Sequence, residues 1–232
     1  MKSKIYLTFD IDWLCDEHLS VTLDLLNNYG LKATFFATHK SQLLNNLDKK
    51  SFEIGLHPNF DKGNGQYDLS ALSDLKELYP EALGTRSHTL FFSSRILNML
   101  DECSLKYESN IFLLDHLGLK PTKRSNSIVS LPFNWSDDKH LELARNYSGN
   151  HFPDLRQTGL NIFNFHPVHI YLNTNTQDLY DKAKPFFNKK SFSAFVNNGM
   201  GIKSLFIELC EKINQENIES CLLKELLEDD SN

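Results

Sequence analysis

Two aspartates stand two residues apart in the segment Thr8-Phe9-Asp10-Ile11-Asp12-Trp13, directly after a strand-like run. Side chains alternate on extended backbone, so Asp10 and Asp12 are expected to project to one side and share one mouth. Like charges so close call for a cation or a shared proton. A metal held by one carboxylate, with the other free as a base, meets that need; capping of the next helix is the competing use. Three later segments carry similar chemistry. Glu53-Ile54-Gly55-Leu56-His57 ends in an imidazole, Gly84-Thr85-Arg86-Ser87-His88 sets Arg86 and His88 two apart, and Asn164-Phe165-His166-Pro167-Val168-His169 holds two more histidines. Each His taken singly reads equally well as a structural hydrogen-bonding residue, and Arg86 as half of a structural salt bridge. Chance is a poor account of four strand ends bearing Asp, Arg or His in a chain with only nine His. One Asp oxygen and two imidazole nitrogens make three protein ligands and leave positions open for water and substrate, which predicts a mononuclear hydrolytic site.

Such a site needs a scaffold that gathers strand ends. Short β-type runs alternate with helix-period runs, the pattern of βα units around a mainly parallel sheet or barrel whose active site opens beyond the strand C-termini. Strands are predicted at Lys4–Phe9, Ala33–Ala37, Phe52–Gly55, Leu83–Arg86, Lys106–Ser109, Ile128–Leu131 and Leu160–Phe165. Helices are predicted at Asp16–Asn28, with Gly30 as its stop, and at Ser41–Lys49, Leu69–Leu78, Ser93–Cys103, Asp137–Tyr147 and Ile202–Leu227, with a weaker tendency over Thr176–Lys189. Ser70 lies in the cap region of the third of these. Asp61–Tyr67, Gly118–Ser127 and Ser191–Gly201 read as loops, and the acidic Glu228–Asn232 as a frayed end. The sum is an α/β fold of incomplete (β/α)7-barrel type. No Gly/Ser-rich or Pro-rich linker and no internal repeat interrupts it, so residues 1–232 are expected to form a single domain.

Composition removes other classes. A hydrophobic fraction of 41% with 17 Phe can fill one core, and 23% charged residues keep the surface wet. A net charge of -6 without a basic stripe argues against nucleic acid, whose phosphates need clustered cations. No apolar run approaches the 18 or so residues that cross a bilayer, and the start of the chain runs into strand-like sequence rather than a secretory leader. A cytoplasmic protein without membrane insertion is therefore expected. Cys15, Cys103, Cys210 and Cys221 lack Cys-x-x-Cys spacing and read as buried or half-buried thiols of a reducing compartment. Oligomeric state leaves no mark on the sequence.

At these motifs the chain resembles the polysaccharide deacetylases, the NodB-homology or carbohydrate esterase 4 group. TFDID at Thr8–Asp12 looks like the first family motif, ATFFA at Ala33–Ala37 like its second strand, and EIGLH at Glu53–His57 like the start of its metal motif. Arg86 stands at the third-motif arginine, LPFNWSDD at Leu131–Asp138 is similar to the fourth motif, and FNFHPVH at Phe163–His169 to the fifth. The likeness runs from about Lys4 to Leu172, with residues 173–232 as a helical completion. GLHPNF, RSHTLF, PFNWSDD and FNFHPVHIYLN together look like a cytosolic branch associated with O-antigen or capsule biosynthesis.

The resemblance implies a distorted (β/α)7 barrel that hydrolyses the N-acetyl amide of a bacterial surface sugar or its precursor. It implies Asp12 and His57 as metal ligands, Asp10 as general base, Arg86 as its ion-pair partner and His166 as general acid. Asp137 or Asp138 would tune that acid, with Trp135 walling the pocket and His169 joining the substrate side. The family places a second His four residues after the first, where this chain has Asp61. His88 is the preferred third ligand and Asp61 the alternative. Zinc is the default metal for such a set, with Co, Ni, Mn and Fe as alternatives. Other enzymes of this site chemistry hydrolyse small cyclic amides or ureides, and a chain with an altered metal motif can also serve as a non-catalytic glycan-binding module. His18, His39, His116, His140 and His151 are assigned no part in the site.

Overall fold

The computed structural model describes residues 3–63, 66–124, 126–145, 147 and 151–227. In chain order the elements are β1 (Lys4–Asp10), α1 (Asp16–Tyr29), β2 (Ala33–Ala37), α2 (Gln42–Asn45), β3 (Phe52–Leu56), β4 (Asp61–Gly63), β5 (Gln66–Tyr67) and α3 (Ser70–Leu78). There follow β6 (Gly84–Thr85), α4 (Ser94–Glu102), β7 (Tyr107–Glu108), β8 (Thr122–Lys123), β9 (Val129–Ser130), β10 (Trp135–Ser136) and α5 (Asp137–Glu142). The last are β11 (Ile162–Phe165), α6 (Pro167–Leu172), α7 (Gln177–Ala183), α8 (Ile202–Gln215) and β12 (Glu219–Ser220).

The main sheet runs β10-β11-β1-β2-β3-β6-β7-β9-β8, with β12 added to β1. Every pairing is parallel except β8 with β9. Strands β10 and β8, at the two ends of the path, do not pair with each other, so the curled sheet is an open half-barrel, the incomplete barrel expected from the sequence. Period-two alternation gives each face its own core. Phe9, Phe35, Phe163 and Phe165 point to the helix side and join Leu19, Leu23, Phe206 and Leu209. Tyr6, Phe36, Tyr107, Leu131, Phe133 and Ile162 fill the other cluster, inside the curl. Fully burying a side chain of this kind contributes about 1.5–3 kcal/mol. Gly84 makes room there, since a Cβ on it would fall 1.9 Å from the Tyr107 ring.

Several boundaries differ from expectation for identifiable reasons. Helix α1 runs to Tyr29 and stops at Gly30 in the left-handed conformation, as its sequence predicts. The helix expected over Ser41–Lys49 shrinks to one turn at Gln42–Asn45: the Ser41 hydroxyl caps Leu44, but Asn45 and Asn46 then favour turn geometry over another helical turn. In α3, Ser70 is already helical, and Asp68 accepts from its backbone N–H at 3.1 Å. The loop at Asp61–Tyr67 contains the β4–β5 hairpin, and the connection at Gly118–Ser127 contains β8. The helix predicted over Asp137–Tyr147 ends at Glu142, where Ala144 turns to a φ of 47°. β10 and α6 fall where no element was predicted, each too short to show a period. The helix predicted over Ile202–Leu227 ends at Gln215, Asn217 takes a φ of 54°, and β12 docks on β1. The expected acidic end, Glu228–Asn232, lies outside the described residues.

Candidate active site

The register of the sheet lines up the chemistry. Thr8 of β1 stands beside Asn164 of β11, and the chain leaves β1 at Asp10, β3 one residue before His57, β6 one before Arg86 and β11 one before His166. A cavity of about 260 Å³ opens at the C-terminal edge of the sheet, lined by Asp10, Asp12, His57, His88, Asp138, Asn164 and His166 on the polar side, with Thr8 and Arg86 behind it. Leu90, Phe112 and Phe133 line it on the apolar side. A second cavity of similar size, about 250 Å³, lies at the other end of β3 beside Phe52, Leu83 and Lys224 and holds no comparable set.

Asp12, His57 and His88 converge most tightly. Asp12 Oδ1 lies 3.3 Å from His57 Nε2 and 3.3 Å from His88 Nδ1, and those two nitrogens are 3.3 Å apart. Ligands about 2.0–2.1 Å from a tetrahedral cation stand about 3.3–3.4 Å from one another, so the triangle has the dimensions of a cation's coordination face. The proton inventory agrees. His57 Nδ1 is 2.7 Å from the Arg86 carbonyl, an obligate acceptor, so that nitrogen donates and the neutral ring turns an Nε2 lone pair toward Asp12. Asp12 Oδ1 is buried without a hydrogen-bond partner. Lone pairs facing lone pairs repel unless a cation lies between them. Burial works against charge on Asp12, yet the two imidazoles and the positive field of His166 hold its carboxyl well below the usual range. The donor set thus fits a divalent metal.

Asp12 is not on extended backbone: β1 ends at Asp10, and Asp12 and Trp13 take φ values of 43° and 59°. The two carboxylates meet through this left-handed turn rather than through strand alternation. Thr89 and Leu90, directly after His88, form a similar left-handed pair with φ values of 56° and 55°. Such backbone costs on the order of 1–3 kcal/mol per residue and persists where surrounding structure enforces it. Asp61, the alternative third ligand, is exposed in the β4–β5 hairpin and does not line the cavity.

Asp10 is gripped at both oxygens. Arg86 Nη1 donates to Oδ1 at 3.2 Å, and Asn164 Nδ2 donates to Oδ2 at 2.9 Å. The same Nη1 reaches Thr8 Oγ1 at 2.9 Å and Asn164 Oδ1 at 2.5 Å. The rest of the guanidinium donates to Ser109, from Nε to the carbonyl at 2.9 Å and from Nη2 to the hydroxyl at 2.8 Å. It lies between the rings of Phe36 and Phe133, 4.6 and 4.4 Å from their centroids. Arg86 is wholly buried, which works against its charge, and the neighbouring Asp10 carboxylate opposes that effect.

Across the cavity, Asp137 holds His166 twice. Its Oδ1 is 2.7 Å from His166 Nδ1, and its Oδ2 accepts the His166 backbone N–H at 2.7 Å. Nε2 then faces Asp138 Oδ2 at 3.5 Å and Asp10 Oδ2 and Asp12 Oδ2 at 3.9 Å each. Burial pulls the imidazole pKa down, but the charges of Asp138 and Asp137 raise it well above its ordinary value. Asp138 in turn takes a 2.9 Å bond from His169 Nε2; desolvation by the surrounding groups works against its charge, but His166 and His169 lower its pKa to about 2.

Some sequence-predicted roles change. Of Asp137 and Asp138, either of which was expected to tune His166 on the substrate side, the wholly buried Asp137 touches His166 and the exposed Asp138 borders the cavity. His169 is buried between Asp138 and Thr174 and does not line the cavity. Trp135 does not wall the pocket: it is fully buried, its indole N–H bonds the His151 carbonyl at 2.9 Å, and its ring packs on Phe165 and Phe152. Sequence reasoning missed Asn164, which shares a side of the extended β11 with His166 two residues later, and that spacing was the available signal. Thr8, Ser109 and Phe112 were missed too, since nothing local distinguishes them. None of His18, His39, His116, His140 and His151 lines the cavity.

A model of the WbmS-like polysaccharide deacetylase family matches residues 7–184. The structure is similar to that of a Bordetella bronchiseptica protein assigned as a polysaccharide deacetylase involved in O-antigen biosynthesis, with a TM-score of 0.82, 31% identity and 91% of each chain covered. It shares its fold with a family 4 carbohydrate esterase from Bacillus anthracis, at a TM-score of 0.52 and 16% identity over 98% of this chain and 83% of that one. A Mycobacterium smegmatis protein assigned as a polysaccharide deacetylase gives 0.51 and 15% over 96% and 94%. No curated protein matches the chain. Because the family match spans well over half the sequence and the half-barrel carries its motifs in order, the chain belongs to the WbmS-like polysaccharide deacetylases.

Proposed function

We propose that the protein is a metal-dependent hydrolase that removes the N-acetyl group from a sugar of a bacterial surface polysaccharide, O-antigen or capsule, or from its precursor. The observation that carries this reading is one cavity bordered by a cation-sized donor triangle, an Asp10 side chain paired with Arg86 and a carboxylate-held His166. Asp12, His57 and His88 would hold the metal, with zinc favoured by the donor types and near-tetrahedral spacing; when bound it supplies Lewis-acid polarisation of the acetyl carbonyl and acidifies water.

The chain's own groups move the protons. Asp10, aimed by Arg86 and Asn164, takes a proton from the attacking water as the water oxygen bonds to the acetyl carbon. His166 Nε2 then protonates the departing amine nitrogen, the C–N bond breaks, and acetate and the free sugar amine leave. Asp137 fixes the tautomer and steadies the charge of that imidazole. A cavity of about 260 Å³ is near the lower end of the ligand-site range of about 300–1,000 Å³ and suits one acetamido sugar at the reacting centre.

The four cysteines are free, as thiols are in a reducing compartment, and among the described residues no helix is long and apolar enough to cross a membrane. Both support action on a cytoplasmic precursor. The test is acetate release from a panel of nucleotide-linked and lipid-linked N-acetylated sugars, with and without chelator. Release that chelation abolishes and divalent metal restores is expected; a metal-replete protein that releases no acetate from any member contradicts the reading.

A further inference from the structure

The chain contains two tryptophans, and they occupy opposite environments. Trp135 is in the core, whereas Trp13 is 40% exposed directly after the candidate metal ligand Asp12. Its indole meets the imidazole of His88, a second candidate ligand, edge to face at 5.0 Å. Trp13 is also held in a costly left-handed backbone conformation, with a φ of 59°. Three bonds hold the turn there. Trp13 N–H donates to Thr38 Oγ1 at 2.9 Å, Asn188 Nδ2 donates to the Trp13 carbonyl at 2.8 Å, and Asn188 Oδ1 accepts from Cys15 N–H at 2.9 Å.

Strain plus an exposed indole is unfavourable on both counts for the free protein, because neither is offset by burial. Both become useful if the ring receives a ligand. A pyranose has one face made largely of C–H groups with hydroxyls at its edge, so a rigid, flat, half-wet aromatic can cover that face while the hydroxyls stay solvated. The small cavity accommodates the reacting acetamido unit, and Trp13 stands outside its lining, next to His88.

We propose that Trp13 is a sugar-stacking platform at the mouth of the site, engaging a substrate saccharide beyond the acetyl group. The platform deepens the deacetylase reading and rests on it for the link to turnover. It also takes over the sugar-facing role that the sequence had suggested for Trp135.

Two tryptophans give two indole N–H signals in a nitrogen-15 spectrum, which makes the test direct. Metal-loaded protein is titrated with N,N′-diacetylchitobiose and, separately, with acetamide; Trp13→Phe identifies the signals. The disaccharide should move the Trp13 signal and leave that of Trp135 in place, and acetamide should move neither. Trp13→Ala should raise KM for the disaccharide about tenfold with a much smaller change in kcat, and Trp13→Phe should recover most of the loss, since stacking is worth about 0.5–1.5 kcal/mol. Bound metal and the thermal midpoint report whether the variant remains folded. A Trp13 signal that stays still at saturating disaccharide, or an unaltered KM in Trp13→Ala, overturns the platform. Acetate release with a still Trp13 signal spares the deacetylase reading; a moving Trp13 signal without acetate release from any sugar spares the platform and overturns that reading.

Discussion

Two Asp/His clusters share this cavity, and they differ in what lies between their atoms. Asp12, His57 and His88 stand 3.3 Å apart, with a lone pair of His57 and an unpartnered oxygen of Asp12 turned inward. Asp138, His166 and His169 offer the same residue types, but Asp138 and His169 close to 2.9 Å and Asp137 closes on His166 at 2.7 Å. Those shorter distances are those of hydrogen bonds with a proton in place. The first cluster leaves room between its donor atoms, and the second is closed by hydrogen bonds. Residue composition alone would call both metal sites; the proton inventory separates a place for a cation from a place for a proton donor.

The contrast can be broken most severely at Asp12. Asp12→Ala should release the metal and lower kcat/KM by about 10⁴-fold, several kcal/mol of lost charge stabilisation; Asp138→Ala should keep the metal, as elemental analysis of both purified variants would reveal. His166→Ala comes next. It should keep its metal while kcat falls by about 10²–10⁴-fold, the usual worth of a general acid; loss of metal from this variant would erase the distinction between the clusters.

A gentler probe is Asp137→Asn, for which a kcat loss of about 10–100-fold is expected. The charges of Asp138 and Asp137, working against burial, raise the His166 pKa, and the acid must be protonated to act. Activity should therefore persist above pH 6.5 and fall as pH climbs through the raised value, and Asp137→Asn should bring that alkaline limb down. The stability linkage has the same sign: the contribution of His166 is complete below its unfolded pKa of about 6.5 and disappears as pH rises through the folded one. A pH–rate profile whose alkaline limb does not move would remove Asp137 from the role. The smallest effect is expected at Asn164, where Asn164→Ala strands donors and acceptors on Asp10 and Arg86. Denaturant unfolding should show a loss of about 1–3 kcal/mol.

Much of this was legible because strand ends announce themselves. Apolar runs followed at once by Asp10, His57 and His166 marked both the parallel half-barrel and residues that line its cavity, and Arg86, buried behind Asp10, follows β6 in the same way. Local signals did not reach the rest. Trp135 and Trp13 are the same residue type near equally suggestive motifs, and only tertiary packing sends one into the core and the other to solvent. Asp12 met Asp10 through a strained turn that period two does not describe. Two-residue strands such as β10 have no period to read, and the α8 pattern ran past Gln215 because the apolar residues flanking β12, Ile218, Leu222 and Leu223, happen to continue it. Asn217, an αL stop, was the one mark of that break.

The claim on which all of this turns is that His88 closes a three-ligand metal centre with Asp12 and His57. Metal-to-protein ratios after chelator-free purification, compared among the unaltered chain, His88→Ala and Asp61→Ala, test it most directly. One equivalent in the unaltered chain, kept by Asp61→Ala and lost by His88→Ala, is the predicted result. Metal that survives in His88→Ala but leaves Asp61→Ala would contradict it.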